Sequence, residues 1–346
     1  MRCMMKTNKG ILGYFLSRSL FLGGGISTLF LYSSKDAYLA IILGTILGIG
    51  IIYITSYVNK NSNVSLKELI AKKNILNIII RIVYIIYLLF LIFIILIILA
   101  TFLYSYFLPF TPSVVSCLPF IFLATFLNPK NINKITYVAQ VLFVISLFLI
   151  FIKTILLVNE FDFSNILPVF SVKPQDLLKT TIIFTVLSTA PFITLVGEKI
   201  EFKQNLKYYL ISMTTILVVV FSIIIVLGEC VNIYSYPEYS VLRKISLFNF
   251  IENIENFVSA GWFFDIFIAL SLCSLKFKEL INAKRNIIPF GIIFILLIIV
   301  SEYVANNFYN SMAIYKVFPW IMLGFIIILL LLLTIKTIIK KKRAVN

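Results

Sequence analysis

Two apolar stretches of this chain contain residues that interrupt a helix and expose groups able to bind a small polar molecule. The first is Gly23–Ser27, three glycines followed by isoleucine and serine, within the apolar run 11–32. The second is Ser188–Phe192, which places a proline within the run 180–198. Glycine permits an unwound turn, and proline lacks the N–H that a helix interior requires. In lipid, backbone groups freed at such breaks must find partners or line a water-filled cavity.

The groups at the two breaks are suited to a molecule with both an amine and a carboxylate. Backbone N–H groups of the first break would bind the carboxylate, and hydroxyls and carbonyls of the second would bind the amine. The alternative is close helix packing, which also favours small residues in membranes. We predict an amino acid as the ligand. The predicted ligand-binding residues are Gly23, Gly24, Gly25, Ile26, Ser27, Ser188, Thr189, Ala190, Pro191 and Phe192.

Two ionisable residues within apolar runs form a second candidate site, because charges inside a membrane are functional candidates by default. Asp265 lies in AGWFFDIFIAL and Lys153 in FLIFIKTILLV. Counted from the outer ends of their helices, their depths differ by roughly 5 Å. A pair between them would neutralise both charges and could respond to protons, although Lys153 alone could also extend to the outer headgroups. Arg18 is expected to bind lipid phosphates near the inner face.

Composition places the chain in a membrane and excludes several kinds of function. Of its 346 residues, 61% are hydrophobic, and the mean hydropathy is +1.06. The formal charge of +16 lies mostly in loops between apolar runs, which argues against nucleic-acid binding. The chain has no histidine, and its four cysteines are scattered without metal-ligand spacing. We therefore expect neither a metal nor another cofactor, and no enzymatic activity.

Ten apolar segments predict an all-α integral membrane protein that forms a single domain over residues 1–346. The presumed inner connections carry 21 Lys and Arg residues against 6 in the outer ones, which places both termini in the cytoplasm. Five helices per half force the halves into opposite orientations, as in five-plus-five inverted repeats, with helices 1 and 6 broken. The halves cover about 11–158 and 180–338. The ten predicted segments are 11–32, 37–57, 78–107, 113–127, 135–158, 180–198, 207–228, 257–275, 287–305 and 317–338.

At this point the chain resembles a known family. The ten segments and the two breaks are similar to the amino acid/polyamine/organocation transporter superfamily. Within it, Tyr236-Pro237, then Arg243, then the run Phe250–Glu255 and Trp262 resemble the spore germination permeases, the B subunits of germinant receptors. That family shows Tyr-Pro, an arginine, Phe-Ile-Glu-Arg-Ile-Glu and a tryptophan, and this chain has Asn253 in place of the second arginine.

The resemblance implies a membrane germinant receptor subunit that binds a small nutrient, such as an amino acid, and triggers spore germination. It also implies A-type and C-type receptor subunits as partners, contact with membrane lipid, and a place in the inner membrane of the spore. Lys153 resembles the fifth-helix lysine of proton-coupled superfamily members. Two alternatives stay open, a free-standing proton-coupled amino acid transporter and a structural subunit whose pocket is vestigial.

Overall fold

The structure is a computed structural model, and it describes residues 8–62, 74–126, 131–198, 200–244, 254–306 and 308–345. Within these ranges the secondary structure is helical and contains no strand. A helix occupies each of the ten predicted segments. The helices are α1 (Ile11–Leu20), α2 (Ile26–Ser33), α3 (Ala37–Ser62), α4 (Ile75–Tyr106), α5 (Ser113–Phe126), α6 (Ile132–Leu156), α7 (Pro174–Ile193), α8 (Phe202–Leu227), α9 (Pro237–Leu242), α10 (Ile254–Leu280), α11 (Ile287–Asn306) and α12 (Phe308–Val345).

Seven helical stretches of the described chain are long and apolar enough to cross a membrane. Of the other predicted spans, α5 has only 14 residues, and α10 carries Asp265, Lys276 and Lys278. The protein is therefore a multi-pass membrane protein. The seven stretches are Ile26–Lys60, Ile75–Tyr106, Ile132–Leu156, Pro174–Ile193, Phe202–Asn232, Ile287–Ala305 and Ala313–Ile339.

The glycine-rich break is a widened helical turn and is not unwound, which corrects the expectation from sequence. Phe21–Gly25 forms a π-helical turn between α1 and α2. The N–H of Ile26 donates to the carbonyl of Phe21, five residues back, and Gly25 keeps helical dihedral angles (φ −64°, ψ −37°). A π turn takes up one extra residue without ending the helix. At this turn the hydrogen bond spans five residues instead of four, and the first segment remains helical from Ile11 to Ser33.

The proline-containing break lies at a helix end. α7 begins with Pro174 in its first turn, a position where proline costs no hydrogen bond. It continues through Pro191 and ends at Ile193, so the predicted span 180–198 begins and ends too late. Beyond it the chain forms turns and reverses at Gly197, whose φ of 90° favours glycine. Pro191 cannot donate to the carbonyl of Leu187, four residues back, and the helix ends two residues after it.

The helices differ in how much of their surface faces the protein. Three quarters of the most apolar window of α7 is buried (72%), against 28% in α6 and in α11. All ten residues of α1 are buried, including three polar ones. α1 packs on α7, α8 and α10, whereas α3, α6, α11 and α12 expose apolar side chains as lipid-facing helices do. Asp265 and the candidate residues of α7 thus lie on central helices, whereas Lys153 lies on α6.

A buried carboxylate fixes the outer loop that leads into α7. Asp36 is fully buried and accepts hydrogen bonds from the N–H groups of Phe170 and Val172, both at 3.1 Å. It also accepts from the hydroxyl of Ser171 at 3.0 Å. Lys35 donates to the carbonyl of Leu167 at 2.6 Å from the same turn. These contacts hold the loop 167–172 against the start of α3.

We predict that Asp36→Ala lowers the free energy of unfolding by about 2–3 kcal/mol, because it leaves buried donors without their charged acceptor. Thermal unfolding of the purified protein in detergent measures this as a clear fall in Tm. Asp176→Asn is the matched control, since Asp176 pairs with Lys179 at 3.0 Å on the surface. Equal Tm values for the two variants would contradict the assignment of Asp36 as the anchor.

Candidate functional site

The first break packs closely against α12. A Cβ atom on Gly24 would lie 2.4 Å from Cε1 of Tyr315, so this approach requires a residue without a side chain. The hydroxyl of Thr28 lies within hydrogen-bonding distance of the carbonyls of Gly24 (2.9 Å) and Tyr315 (3.3 Å). A Cβ atom on Gly25 would lie 2.4 Å from the carbonyl oxygen of Leu20. In this structure both glycines therefore permit close packing.

The other predicted residues of this break have their own surroundings. Ile26 is fully buried, and the hydroxyl of Ser27 donates to the carbonyl of Ser235 in the outer connection. The surroundings of the residue at position 23 lie outside what the structure describes. Ser27 thus joins the first segment to the outer part of the protein.

The predicted residues of α7 contact the inner half of α1. A Cβ atom on Gly13 would lie 2.5 Å from Cε1 of Phe192. The hydroxyl of Ser17 lies 3.3 Å from the carbonyl oxygen of Ser188. Residue numbers thus rise along α1 as they fall along α7, and the two helices are antiparallel neighbours.

The two predicted halves of the ligand site lie at different depths. The rings of Phe21 and Phe184 are 5.1 Å apart and continue the same antiparallel register. Continuing it by one turn places Gly24 level with Thr181, about 10 Å from Ser188 along the helix axis at 1.5 Å per residue. The structure brings each half against other helices, and the two halves do not face each other.

Hydroxyl groups of α4 satisfy the carbonyls at the end of α7. Tyr87 donates to the carbonyl of Ala190 at 2.7 Å, and Tyr84 donates to that of Thr194 at 2.6 Å. Both tyrosines are almost fully buried. Lipid offers no donors, so carbonyls near Pro191 need partners inside the protein. The carbonyls expected to face a ligand are bound by the protein itself in this structure.

The remaining polar side chains of this stretch bond within their own helix. The hydroxyls of Ser188 and Thr189 donate to the carbonyl of Thr185 at 3.0 and 2.7 Å. Phe192 packs edge-on against Tyr209, with the ring centroids 5.7 Å apart. All of these residues are buried. Ser188 also lies 3.4 Å from the hydroxyl of Tyr209 on α8, and Thr189 lies against Gly48 on α3, so a ligand would reach these residues only if the helices around α7 moved apart.

A buried ion pair joins α1 to α10. Nε of Arg18 lies 3.0 Å from Oδ2 of Asp265, whose side chain is fully buried. Arg18 also donates to the hydroxyl of Tyr14 at 3.0 Å, and that hydroxyl lies 3.2 Å from Oγ of Ser146 on α6. Among the described residues, Oδ1 of Asp265 has no hydrogen-bond partner. One polar cluster therefore links three helices in the interior of the bundle.

This cluster corrects the role expected for Arg18. Binding to lipid phosphates requires an exposed guanidinium, but only 4% of Arg18 is exposed. The sequence signal that was missed is Tyr14, four residues before Arg18 and hence on the same face of the helix. Arg18 is part of the buried cluster around Asp265.

Asp265 does not pair with Lys153, because the two residues lie at different depths. The Leu149 side chain faces Gly261, with 3.1 Å from its Cδ1 to a Cβ built there. Lys153 lies four residues beyond Leu149 in one direction and Asp265 four residues beyond Gly261 in the other, so their depths differ by about 12 Å along the helix axes. That is more than twice the separation expected from sequence. Arg18 takes the place predicted for Lys153 as the partner of Asp265.

Lys153 is nevertheless buried, with 5% of its surface exposed. The charges close enough to act on it are Glu238, which is fully buried, and Arg18. Glu238 follows Pro237 at the start of the short outer helix α9. Burial of Lys153 excludes extension to the outer headgroups in this structure, and the nearby carboxylate offsets its charge.

A third ionic cluster lies beyond the end of α7. Glu198 pairs with Lys9 at 2.7 Å and with Lys276 of α10. The side chain of Asn59, near the end of α3, accepts from the N–H of Gly197 at 3.0 Å and donates to the carbonyl of Glu198 at 2.8 Å. The chain after α7 is therefore tied to the start of α1, to α3 and to α10.

The described part of the chain contains no group of three or more His, Cys, Asp or Glu residues that could hold a metal ion. The polar clusters instead consist of single carboxylates paired with arginine or lysine, together with hydroxyl groups. Such clusters are suited to organic ammonium groups, carboxylates or protons.

Two solved structures resemble this fold, both of the manganese transporter of Eremococcus coleocola. One, in complex with an aromatic bis-isothiourea substituted compound, is 15% identical, covers 96% of this chain and 80% of its own, and has a TM-score of 0.54. The other, a mutant, is also 15% identical, covers 94% and 78%, and has a TM-score of 0.59. At this identity the likeness shows the fold alone. No match was found among curated proteins.

A family model described as spore germination protein matches residues 15–309. The match includes both predicted breaks, the Arg18–Asp265 pair and Lys153. It also includes the Tyr236-Pro237 motif, whereas residues 245–253 of the longer motif lie outside the described structure. Because the match covers most of the chain, the protein belongs to the family of spore germination permeases.

Proposed function

We propose that the protein is a membrane subunit of a germinant receptor, which binds a small nutrient inside its helix bundle and thereby triggers spore germination. The observation that carries this proposal is the family match over residues 15–309. The fold shared with solved transporters supports a binding site within the bundle. The protein would act by binding and conformational change, without a cofactor.

The proposed topology has ten transmembrane helices in one domain, with both termini in the cytoplasm. Residues 11–158 and 180–338 would form the two halves of a five-plus-five inverted repeat, the first beginning with the helix that contains the π turn and the second with the helix that contains Pro191. The concentration of Lys and Arg in alternate connections supports this orientation. The protein would lie in the inner membrane of the spore, in contact with lipid and with A-type and C-type receptor subunits.

An amino acid is the proposed ligand, and Gly23–Ser27 and Ser188–Phe192 are its proposed contacts. These stretches are offset by about two helical turns, and α1 and α7 touch between them at Ser17 and Ser188. Binding would therefore separate α1 from α7 at this contact. A ligand can favour the separated arrangement only if it binds that arrangement better.

Asp265 and Lys153 are the proposed residues for ion or proton coupling, and Arg18 joins them. Asp265 has one carboxylate oxygen bound by Arg18 and one that no described group binds. A proton on that carboxylate would weaken its attraction to Arg18 and loosen the contact between α1 and α10. Proton binding would thus act on the same helix that carries the ligand contacts.

The rival function is a free-standing proton-coupled amino acid transporter, and the buried Asp265 favours it equally. Flux into proteoliposomes that contain this protein alone separates the two functions. A transporter accumulates a labelled amino acid when an inward proton gradient is applied. A receptor subunit binds the amino acid without accumulating it.

We predict that Gly24→Ala weakens nutrient binding at least tenfold, because the added methyl group meets the ring of Tyr315 and changes the first break. A thermal-shift assay with the twenty common amino acids identifies a ligand of the wild-type protein, and its Kd is then compared. Gly50→Ala and Gly324→Ala are matched controls, since a Cβ atom at either position meets no atom within 4 Å. Unchanged affinity in Gly24→Ala would contradict the proposed placement.

We predict that Asp265→Asn destabilises the protein by about 3–5 kcal/mol, because it leaves the buried charge of Arg18 without its partner. Combining it with Arg18→Gln should restore most of the lost Tm, since the double variant buries no unpaired charge. The pH dependence of the nutrient response should shift in Asp265→Asn and remain unchanged in Asp176→Asn. A double variant no more stable than either single variant would contradict the pairing.

A further inference from the structure

The motif residues Tyr236, Pro237 and Arg243 belong to one short segment, on the side of the bundle that the proposed topology places outside the membrane. We call residues 235–243 the strap. Its central helix α9 is largely buried, whereas the residues at both of its ends are exposed. A short segment held at a few points can move as a unit when those points change partners.

Two buried and opposite charges hold the centre of the strap. Glu238, in the first turn of α9, is fully buried and lies within electrostatic range of Lys153 on α6. The other charge that acts on Lys153 is that of Arg18, which repels it. Because a buried ammonium group requires a compensating charge, Glu238 is the group that stabilises charged Lys153 inside the bundle. The same attraction holds α9 towards α6.

A guanidinium group shared by two aromatic rings holds the end of the strap. The Cζ atom of Arg243 lies 5.3 Å from the ring centroid of Tyr106 on α4 and 5.1 Å from that of Tyr239 on α9. The hydroxyl of Tyr239 also donates to Oδ1 of Asn256 on α10 at 2.8 Å. Cation–π contacts at exposed sites are weak enough to be exchanged. The strap is thus fixed to α4 and α10 by contacts that can reverse.

The beginning of the strap is connected to the first break. The hydroxyl of Ser27 donates to the carbonyl of Ser235. The hydroxyl of Tyr236 lies beside Tyr315, whose ring in turn lies directly against Gly24. Ser27 and Gly24 are both proposed contacts of the nutrient. Two routes of direct contact therefore join the proposed ligand site to the strap.

We infer that nutrient binding releases the strap, and that the Lys153–Glu238 attraction and Arg243 hold it in place when no nutrient is bound. A hydroxyl has a single proton to donate. A nutrient whose carboxylate accepts the hydrogen bond of Ser27 must therefore break the bond to Ser235. This inference rests on the proposed function and adds to it the element through which the ligand site acts on the outer side of the protein.

The inference has a thermodynamic consequence that can be measured. Contacts that exist only without nutrient lower the apparent affinity, because binding must break them. Removing such contacts should therefore tighten nutrient binding, whereas removing contacts that only support the fold should not.

The experiment weakens the strap without changing the proposed ligand contacts. Arg243→Gln removes the cation from the two rings, and Lys173→Gln is the matched control, since it removes another exposed cation of the outer side. Lys153→Met combined with Glu238→Gln removes both buried charges, and the two single variants each leave one charge unpaired. Trp262 is the reporter, because its ring lies 6.4 Å from that of Tyr239.

All variants are made in the full-length protein with Trp320→Phe, which leaves Trp262 as its only tryptophan. The fluorescence of each protein in detergent is titrated with each of the twenty common amino acids, and the Tm without ligand is measured. We expect Arg243→Gln and the double variant to bind the nutrient about threefold more tightly or better. Their fluorescence without nutrient should shift towards the nutrient-bound value of the parent protein, and Lys173→Gln should match the parent in both measurements.

The charge pair has its own expected result. Each single variant, Lys153→Met or Glu238→Gln, should lower the Tm because it leaves a buried charge uncompensated, and the double variant should recover most of the loss. A double variant with a Tm as low as that of either single variant would overturn the pairing of Lys153 with Glu238.

The remaining outcomes separate this inference from the proposed function. Unchanged or weaker nutrient binding in Arg243→Gln or in the double variant overturns the inference, while the proposed function stands because the parent protein still binds. Trp262 fluorescence that stays constant when the parent binds its nutrient also overturns the release of the strap. A parent protein that binds none of the twenty amino acids overturns the proposed function and this inference together.

Discussion

The contact between Arg18 and Asp265 is the interaction on which the interior of this protein depends. Neither side chain reaches water, so the positive charge of α1 and the negative charge of α10 must stay together. Through Tyr14 the same cluster reaches Ser146 and fixes α6. The helix that carries the glycine-rich break is therefore held by electrostatic attraction at its middle and by close packing at Gly24. If that helix moves away from α10, the buried charge of Arg18 must exchange Asp265 for another partner.

A second constraint explains the structure around Pro191. In lipid each backbone carbonyl needs a donor from the protein, and Tyr84 and Tyr87 provide them where α7 ends. The ionic cluster around Glu198 then ties the following residues to three other helices. Hydroxyl donors and ion pairs thus secure the end of α7 that lies beside the start of α1. The same groups would have to change partners for the two helices to separate.

Much of the fold follows from the sequence, because long apolar runs and their basic connections are local signals. All ten predicted segments contain a helix, and the family match agrees with the resemblance found in the Tyr236-Pro237 motif. The break at Gly23–Ser27 was also located correctly, but its form was not. Three glycines permit either an unwound or a π turn, and the close approach of Tyr315 accompanies the π turn seen here.

The site was harder to predict, because the depth of a side chain depends on how helices are offset. Counting residues from helix ends placed Lys153 near Asp265, whereas the contact of Leu149 with Gly261 shows a separation more than twice as large. Gly24 and Ser188 are likewise separated, by about 10 Å along the helix axis. Arg18 was missed because its position near the inner end of an apolar run also suits a lipid anchor.

The most direct test of the account is whether the nutrient must separate α1 from α7. Phe21→Cys and Phe184→Cys, in a chain whose four native cysteines are replaced by serine, would place two thiols where side chains of these two helical segments face each other. The measurement is the Kd of an amino acid ligand before oxidation, after disulfide formation and after reduction. The account predicts that the disulfide abolishes binding and that reduction restores it. Binding of unchanged affinity to the cross-linked protein would contradict a site between α1 and α7.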